Sequence, residues 1–217
     1  GGHRIVAFDP QPWAVQAAEG YGADGAGSLD DLVSKLPAPR AVWVMVPDGD
    51  PTESTIQTLA ELLSDGDMIL DGGNSNFNDS IRRAQELAES GIEFMDVGTS
   101  GGVWGLTEGY SMMVGGTERA FAWIEPVIQT LAPSPTSGYG HVGPAGAGHY
   151  VKMVHNGIEY GLMQAYAEGF ELMNAREDMA LDMAQIAEIW REGSVVRSWL
   201  LDLTAAAFHE DGDLSGL

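Results

Sequence analysis

The sequence predicts an α/β fold: a mostly parallel sheet covered by helices on both faces, followed by an all-α domain built on a long helix. Short apolar runs alternate with helical patterns over the first two-thirds of the chain, an order typical of parallel sheets. From about residue 146 to the C-terminus the pattern is helical throughout. The first of these helices runs to about Asn174, far longer than an average helix.

The predicted strands are short runs, apolar or rich in β-formers, bounded by Gly, Pro or Asp. They span residues 4–8, 41–46, 68–71, 92–97 and 110–116. Helical patterns fill the intervals, at about 11–19, 28–36, 52–64, 77–90 and 117–132. Asn76 and the segment Asp50-Pro51-Thr52 provide helix-start signals, whereas Gly66 and Gly91 end helices.

The C-terminal part is expected to contain two further helices after the long one, at about 181–192 and 195–207. We place a domain boundary near Gly143-Pro144, where the strand-forming pattern stops. The boundary separates an incomplete α/β domain over 1–143 from the start of a helical domain over 144–217.

Composition excludes several classes of function. The net charge of −22 and pI near 4.2 argue against binding to nucleic acid or anionic lipid. The sequence has neither an apolar run long enough to span a membrane nor a signal peptide, so we expect a cytoplasmic protein. Cysteine is absent, which excludes disulfides and thiolate chemistry. No cluster has metal-ligand spacing, so no catalytic metal is expected. A high-salt cytoplasm is one explanation for the acidic surface, because salt screens self-repulsion.

The dinucleotide-binding pattern G-x-G-x-x-G occurs twice, at residues 20–25 and 138–143. The pattern is informative only between a strand and a helix, with an acid about 20 residues later. A helical pattern precedes the first copy, and no acid ends a strand after the second. We therefore predict that both segments are loops.

Asp9 ends the first predicted strand and has two interpretations. It either binds the ribose hydroxyls of a dinucleotide or starts the turn Asp9-Pro10. The first interpretation puts the phosphate-binding glycines about 20 residues upstream, before residue 1. It implies a Rossmann-like sheet whose first strand and helix are missing from the chain.

A polar stripe lies on the long helix. Lys152, His155, Asn156 and Glu159 are spaced at i, i+3, i+4 and i+7, which places them on one helix face. Their neighbours are mostly apolar, and a helix that is apolar nearly all round is buried. The pattern therefore predicts a buried helix whose polar stripe binds partners or a ligand. The alternative is a solvated charged pair.

Three segments carry a resemblance to a known family: "DGGNS" (71–75), "DVGTSGGVWGLTEG" (96–109) and "GPAGAGHYVKMVHNGIEYGLMQAYAEG" (143–169). Together they closely resemble the decarboxylating 6-phosphogluconate dehydrogenases, and "REGSVVRSWLL" (191–201) continues the match. The resemblance implies oxidation of 6-phosphogluconate at C3, loss of CO₂, and tautomerisation to ribulose 5-phosphate. It also implies a chain truncated at both ends.

The resemblance assigns Lys152 as the general base and Glu159 as the acid that protonates C1. The remaining substrate-binding residues it implies are Asn74, Ser100, Gly101, Gly102, His155, Asn156, Tyr160 and Arg197. The cofactor-binding residues it implies are Asp9, Val46, Pro47, Asp48 and Asn74.

The expected cofactor is NAD rather than NADP, because Pro10 stands where an arginine would bind a 2′-phosphate. The expected partners are the small-molecule substrate and further copies of the chain, in a homodimer or larger oligomer. Two alternatives stay open. One is a 3-hydroxyacid dehydrogenase of the 3-hydroxyisobutyrate type, which lacks the acid at the Glu159 position. The other is a catalytically silent sugar-phosphate-binding protein.

Overall fold

The computed structural model describes residues 2–212, 214 and 216. Contacts divide it into two compact units, residues 1–153 and 154–217. The division falls inside one long helix, and the predicted domain boundary near Gly143-Pro144 stays a prediction.

The first unit contains two sheets. In the smaller sheet β1 (Val6–Ala7) pairs in parallel with β2 (Asp24–Gly25), and helix α1 (Pro12–Gly20) connects them. The larger sheet has the order β3-β4-β5-β6-β7, and its strands span Ala41–Val44, Met68–Asp71, Glu93–Ser100, Ser111–Gly115 and Tyr139–Gly143. In this sheet the β5–β6 pair is antiparallel, and the β3–β4, β4–β5 and β6–β7 pairs are parallel. The predicted mostly parallel sheet is confirmed.

Helices connect the strands of the first unit. They are α2 (Leu29–Lys35), α3 (Asp50–Leu62), α4 (Phe77–Ala88), the single turn α5 (Gly105–Glu108) and α6 (Glu118–Leu131). Asn76 caps α4 as its sequence position predicts, because its side-chain oxygen accepts the N–H of Asn78 at 2.9 Å.

Apolar side chains cover both faces of the larger sheet. Ile69 of β4 packs into a cluster with Leu59 of α3, whereas Met68 and Leu70 pack on the opposite face with Ile128 of α6. All five side chains are at most 1% exposed. Burial of one such side chain contributes about 1.5–3 kcal/mol to folding, so the middle of β4 anchors the unit.

Both glycine strings predicted as loops contain strands, so that prediction is wrong. Residues 139–143 form β7, which pairs in parallel with β6, and residues 24–25 form β2. Glycine-rich strands lack the alternation of apolar and polar side chains by which strands are recognised. Tertiary pairing, together with a 2.8 Å hydrogen bond between His141 Nε2 and the Gly116 carbonyl, holds β7 in place.

The second unit is helical. It contains most of helix α7 (Ala147–Asn174), together with α8 (Met183–Arg191) and α9 (Trp199–Glu210). Its core is formed by Phe170, Met183, Ala187, Leu201, Ala205 and Phe208. Helix α9 starts later than the predicted residue 195, because the Ser198 hydroxyl caps it by accepting the N–H of Leu201 at 3.1 Å.

The prediction that α7 is buried all round is wrong. The exposed fraction is 44% for Val154, 61% for Ile158 and 41% for Leu162. An apolar face shows that a helix needs a partner surface, but the pattern does not say whether that surface belongs to the same chain. Among the described residues, every helix is too short or too polar to cross a membrane.

The N-terminal end of α7 is in direct contact with the larger sheet. The Asp96 carboxylate on β5 accepts the N–H of Gly146 at 2.6 Å and the N–H of His149 at 2.7 Å. A Cβ built on Gly148 would lie 2.5 Å from the main-chain oxygens of Asp96 and Met113. Glycine is therefore required at position 148, because any side chain would push the helix off the sheet.

Replacing Gly148 tests this contact. We expect Gly148→Ala to lower the free energy of unfolding by about 1–3 kcal/mol, the usual cost of overpacking. Gly169→Ala on the same helix is the matched control, since a Cβ there meets nothing within 4 Å. The control should leave stability unchanged or raise it by up to about 1 kcal/mol. Equal urea-unfolding curves for the two variants would contradict the proposed contact.

Candidate active site

The loop after β4 contains the predicted residue Asn74. Asp71, the last residue of β4, accepts the N–H of Gly73 through Oδ1 at 3.1 Å, and Gly72 donates to the Val44 carbonyl at 2.9 Å. A Cβ built on Gly72 would lie 2.0 Å from the Trp43 indole nitrogen. Two residues without side chains thus let the loop turn tightly and leave Asn74 exposed at the carboxyl edge of the sheet.

A buried ion-pair network supports the start of this loop. The Arg83 guanidinium of α4 lies 3.2 Å from Asp71 Oδ2 and 2.9 Å from Glu53 Oε2. Arg83 and Asp71 are almost fully buried, and Arg82 binds the same Glu53 carboxylate at 2.7 Å. Hydrogen bonds from Arg82, followed by those from Arg83, lower the pKa of Glu53 from 4.5 to about 2 against the opposing effect of burial. The carboxylate is therefore charged at neutral pH.

The loop after β5 contains Ser100, Gly101 and Gly102. Ser100 ends the strand, and the two glycines have φ angles of 136° and 50°. Residues that carry a side chain rarely adopt these main-chain angles. The two glycines therefore allow the main chain to turn directly after the strand. A turn built from glycines exposes main-chain N–H groups to an approaching anion.

Lys152 lies in the first unit, on the turn of α7 that follows its N-terminal contact. A Cβ built on Gly98 of β5 would lie 2.5 Å from the Lys152 Cβ and 2.6 Å from the Gly148 carbonyl oxygen. The stem of Lys152 therefore starts directly against β5, two residues before Ser100. The lysine is half-buried.

The remaining residues of the polar stripe lie on the part of α7 in the second unit. His155, Asn156 and Glu159 are half-buried, and Tyr160 is exposed. Nδ1 of His155 lies 3.7 Å from Glu159 Oε2. This is the i,i+4 neighbourhood expected on one helix face.

Arg197 lies in the second unit, in the segment between α8 and α9, and is exposed. The Tyr166 hydroxyl fixes this segment because it bonds both the Val196 carbonyl and, at 2.8 Å, the Ser198 hydroxyl. The Arg197 main chain donates to the Ser194 carbonyl at 3.3 Å. The structure thus holds the backbone on both sides of the arginine.

The predicted cofactor residues follow β1 and β3. Asp9 is exposed, and its Oδ1 accepts the N–H of Gln11 at 2.8 Å, as the turn interpretation expects. Val46, Pro47 and Asp48 form the loop after β3, and the buried Thr52 hydroxyl donates to the Pro47 carbonyl at 2.8 Å. These residues and Asn74 all follow strands at their carboxyl ends, where nucleotides bind in open α/β sheets.

Sequence reasoning missed three residues that position the site. Arg83 and Asp96 are fully buried charges, and His149 is a buried side chain whose Nδ1 lies 2.8 Å from the Ser80 hydroxyl. The signal for Asp96 was present, since an acid inside the strand pattern "EFMDV" must find partners when buried. No described group of three or more His, Asp or Glu side chains could hold a metal ion.

Two family descriptions match the chain. Residues 1–143 match the NAD binding domain of 6-phosphogluconate dehydrogenase, and residues 148–180 match the 6-phosphogluconate dehydrogenase C-terminal domain.

Similar full sequences carry the same description. The NAD(+)-dependent, decarboxylating 6-phosphogluconate dehydrogenase of Haloferax volcanii is 47% identical over 211 residues, covering 97% of the chain and 69% of that enzyme. The decarboxylating 6-phosphogluconate dehydrogenase of Synechococcus elongatus is 40% identical over 207 residues, covering 94% of the chain and 44% of that enzyme.

Solved structures share the fold. Plasmodium falciparum 6-phosphogluconate dehydrogenase, studied with NADP+ and with 6-phosphogluconate, superposes with a TM-score of 0.85 at 28% identity, covering 94% of the chain and 46% of that protein. Mycobacterium tuberculosis 3-hydroxyisobutyrate dehydrogenase, solved with L-serine, gives a TM-score of 0.77 at 25% identity, covering 91% of the chain and 65% of that protein. The chain thus spans less than half of the Plasmodium protein.

Glu53 predicts how stability depends on pH. Its lowered pKa means that the folded state favours the carboxylate, so the stabilisation is present above pH 4.5 and is lost as the pH falls towards 2. The shift corresponds to about 2 kcal/mol after allowance for partial solvent screening. We therefore expect Glu53→Gln to lose about this amount in urea unfolding at pH 7, and the difference from wild type to shrink steadily below pH 4.5.

Glu86→Gln is the control for this prediction. Glu86 binds the same Arg82 at 3.1 Å but is 58% exposed, and exposed ion pairs contribute only about 0–1 kcal/mol. If Glu86→Gln lost as much unfolding free energy as Glu53→Gln, the buried pair of Glu53 and Arg83 would contribute no more to stability than an exposed ion pair.

Proposed function

Because the chain belongs to the 6-phosphogluconate dehydrogenase family, we propose that it catalyses the oxidative decarboxylation of 6-phosphogluconate to ribulose 5-phosphate and CO₂. The observation that carries the proposal is the position of Lys152. Its stem lies against β5 beside the glycine turn, and Glu159 follows two helical turns later on α7. Seven residues of an α-helix correspond to a rise of about 10.5 Å, which is the spacing that the proposal assigns to base and acid.

In the proposed first step Lys152 acts as general base and accepts the proton of the C3 hydroxyl. Lysine serves this role in other enzymes. The hydrogen on C3 leaves as a hydride at the same time, so that the hydroxyl carbon becomes a ketone.

In the later steps the bond between C2 and the carboxylate carbon breaks and CO₂ leaves. The electron pair moves through C2 onto the C3 oxygen, which takes back the proton held by Lys152 and gives an enediol. The enediol must then be protonated at the former C2, which becomes C1 of ribulose 5-phosphate. Glu159 is the proposed acid, and the nearby His155 ring helps to hold it and a substrate oxygen. Asn156, one turn before Tyr160, is assigned to the hydroxyls and the carboxylate of the substrate.

The substrate carries negative charge at both ends, which the proposed binding groups match. Main-chain N–H groups at Ser100, Gly101 and Gly102 are assigned to the carboxylate side, since glycines allow close approach. Tyr160 and Arg197 are assigned to the phosphate. An exposed guanidinium on a backbone held by Tyr166 suits bidentate recognition of phosphate.

The residues present fit a dinucleotide at the carboxyl ends of β1, β3 and β4. A Cβ on Gly73 would lie 3.2 Å from the Val46 carbonyl oxygen, so this loop is kept narrow by glycine. Asp9, Val46, Pro47, Asp48 and Asn74 would hold the cofactor. When bound, NAD supplies the hydride acceptor for C3. NAD is favoured over NADP because an acid and a proline, with no arginine, follow β1.

Self-association is also proposed. The exposed apolar residues of α7 in the second unit include Ile158, Leu162 and Leu172. Exposed apolar surface of this kind is typical of protein interfaces. We therefore expect a homodimer in which these apolar residues are covered.

The two alternatives make different predictions. The support for a 3-hydroxyisobutyrate-type enzyme is structural similarity to such a dehydrogenase, at a TM-score of 0.77 against 0.85 for the Plasmodium 6-phosphogluconate dehydrogenase. An enzyme of this type would oxidise 3-hydroxyisobutyrate without releasing CO₂. A silent binder would be stabilised in thermal unfolding by 6-phosphogluconate but would reduce no NAD.

The acid and base assignments predict separable kinetic defects. Lys152→Ala should lower the rate of NADH formation in the first turnover by about 10²–10⁴-fold, the usual contribution of a general base. Glu159→Gln should retain first-turnover NADH formation but slow steady-state turnover, because only the later protonation needs the acid. Stopped-flow absorbance of reduced nicotinamide measures both quantities.

Glu168→Gln on the same helix is the control, because Glu168 is exposed and bonds Gln164. It should keep wild-type kinetics. Near-normal turnover of a folded Lys152→Ala protein would overturn the base assignment. Substrate binding without NADH formation in the wild type would instead favour the silent binder.

The cofactor assignment predicts a higher kcat/KM with NAD than with NADP. Replacing Asp9 by Ser and Pro10 by Arg removes a carboxylate and adds a guanidinium where a 2′-phosphate would bind. The double variant should shift the NAD/NADP ratio of kcat/KM by about tenfold or more towards NADP, equivalent to about 1.4 kcal/mol. Asp30→Ser, at an exposed acid of α2, should leave the ratio unchanged.

A further inference from the structure

Arg83 connects the two loops that are assigned to the cofactor. Its guanidinium donates to Asp71 at the end of β4 at 3.2 Å, and to Glu53 in the first turn of α3 at 2.9 Å. The loop with Asn74 starts directly after Asp71, and the loop 46–48 lies just before α3. One planar side chain therefore joins the start of one loop to the end of the other.

Asp71 uses its two carboxylate oxygens for different contacts. Oδ2 faces Arg83, whereas Oδ1 accepts the N–H of Gly73 at 3.1 Å. Asp71 is fully buried, and a buried carboxylate that moved away from its partner would be left as an uncompensated charge. The arginine thus orients the carboxylate, and the carboxylate orients the loop at the residue before Asn74.

Glu53 connects the network to the loop after β3. Its N–H donates to the Gly49 carbonyl at 3.0 Å. The preceding residue, Thr52, donates from its buried hydroxyl to the Pro47 carbonyl at 2.8 Å. Both hydrogen bonds tie the first turn of α3 to the segment that precedes it. A shift of Glu53 would therefore move the loop 46–48 as well.

The two loops lie against each other. A Cβ built on Gly73 would lie 3.2 Å from the Val46 carbonyl oxygen, and the Gly72 N–H donates to the Val44 carbonyl at 2.9 Å. Both contacts are made by glycines, which let the loops approach closely but provide no side chain that locks their spacing. The spacing therefore depends on groups outside these contacts, and Arg83 is such a group.

We infer that Arg83 is a positioning residue for the dinucleotide, because it fixes the spacing of the loops after β3 and β4 and thereby sets the affinity for NAD. Arg83 is only 2% exposed, so it acts through Asp71 and Glu53 rather than on the ligand. A guanidinium suits this role because its rigid fork binds two carboxylates, whereas a lysine ammonium is a single point charge. The inference rests on the proposed function, since it takes residues 46–48 and Asn74 as part of the cofactor site.

Arg83→Lys in the intact chain tests the inference, because it keeps the positive charge and removes the fork. We expect the Kd for NAD in titration calorimetry to rise about tenfold or more, the usual effect of losing one hydrogen bond between charged groups. KM for NAD should rise similarly, while kcat at saturating NAD changes less than about threefold, because Lys152 and Glu159 are untouched. The Kd for 6-phosphogluconate should also change less than about threefold, since most of its assigned groups lie on other segments.

Arg82→Lys is the matched control. Arg82 lies on the same helix and binds the same Glu53 carboxylate at 2.7 Å, but its side chain is 41% exposed. Its other ion pairs are with Asp79 and Glu86 on its own helix, so it joins no second loop to α3. We expect the control to keep the wild-type affinity for NAD within about twofold, because exposed ion pairs contribute little.

Hydrogen exchange of the Gly73 amide gives a readout that needs no cofactor. This N–H donates to Asp71, so its exchange should be about tenfold faster or more in Arg83→Lys and unchanged in Arg82→Lys. If Arg83→Lys does not fold, Asp71→Asn breaks the same ion pair from the other side. It keeps an oxygen that can accept the Gly73 N–H, and it should raise the Kd for NAD by a similar factor.

The outcomes separate this inference from the proposed reaction. A folded Arg83→Lys protein with wild-type affinity for NAD or unchanged Gly73 exchange would overturn the role of Arg83. An equal loss of NAD affinity in Arg82→Lys, or an equal loss of affinity for 6-phosphogluconate, would also contradict it. A wild-type protein that binds NAD but forms no NADH would reject the proposed reaction only, and the variants' affinities would still decide on Arg83. A wild-type protein without affinity for NAD would overturn both.

Discussion

The rest of the candidate site in the first unit depends on one interaction, between the Asp96 carboxylate and the N-terminal end of α7. The carboxylate is fully buried and is stabilised by N–H groups at the start of α7, from Gly146 and His149. A helix N-terminus carries partial positive charge, so helix and carboxylate stabilise each other. These hydrogen bonds fix where α7 starts. Because Lys152 lies one turn after His149, they also fix the position of Lys152 beside β5.

Main-chain contacts, rather than side-chain packing, then set the distance between helix and sheet. Gly98 on β5 and Gly148 on α7 remove the side chains that would keep the two elements apart. The loop after β4 follows a related principle, since a buried arginine–carboxylate network lies beneath its glycines. In both places a buried ionic group and a neighbouring glycine position a polar residue, which is the exposed Asn74 in one case and the half-buried Lys152 in the other.

Motifs with strong local chemistry could be predicted from the sequence, and pairings between distant segments could not. The cap at Asn76, the length of α7 and the position of Lys152 follow from local patterns. Strand β7 could not be predicted because its glycines give no alternation, and it is defined by its pairing with β6. The role of Arg83 depends on Glu53, which lies 30 residues earlier. Similarly, the apolar face of α7 was recognisable, but its exposure was not.

The exposed face of α7 has a consequence for oxidative chemistry. The chain has no cysteine, so methionine is its main site of mild oxidation. Met68 and Met95 are fully buried in the core, whereas Met153 and Met163 on α7 are about half exposed. Peroxide would therefore convert Met153 and Met163, together with the more exposed Met45 and Met179, to sulfoxides while the core stays intact. A sulfoxide is polar, so part of the damage would fall on the apolar face of α7.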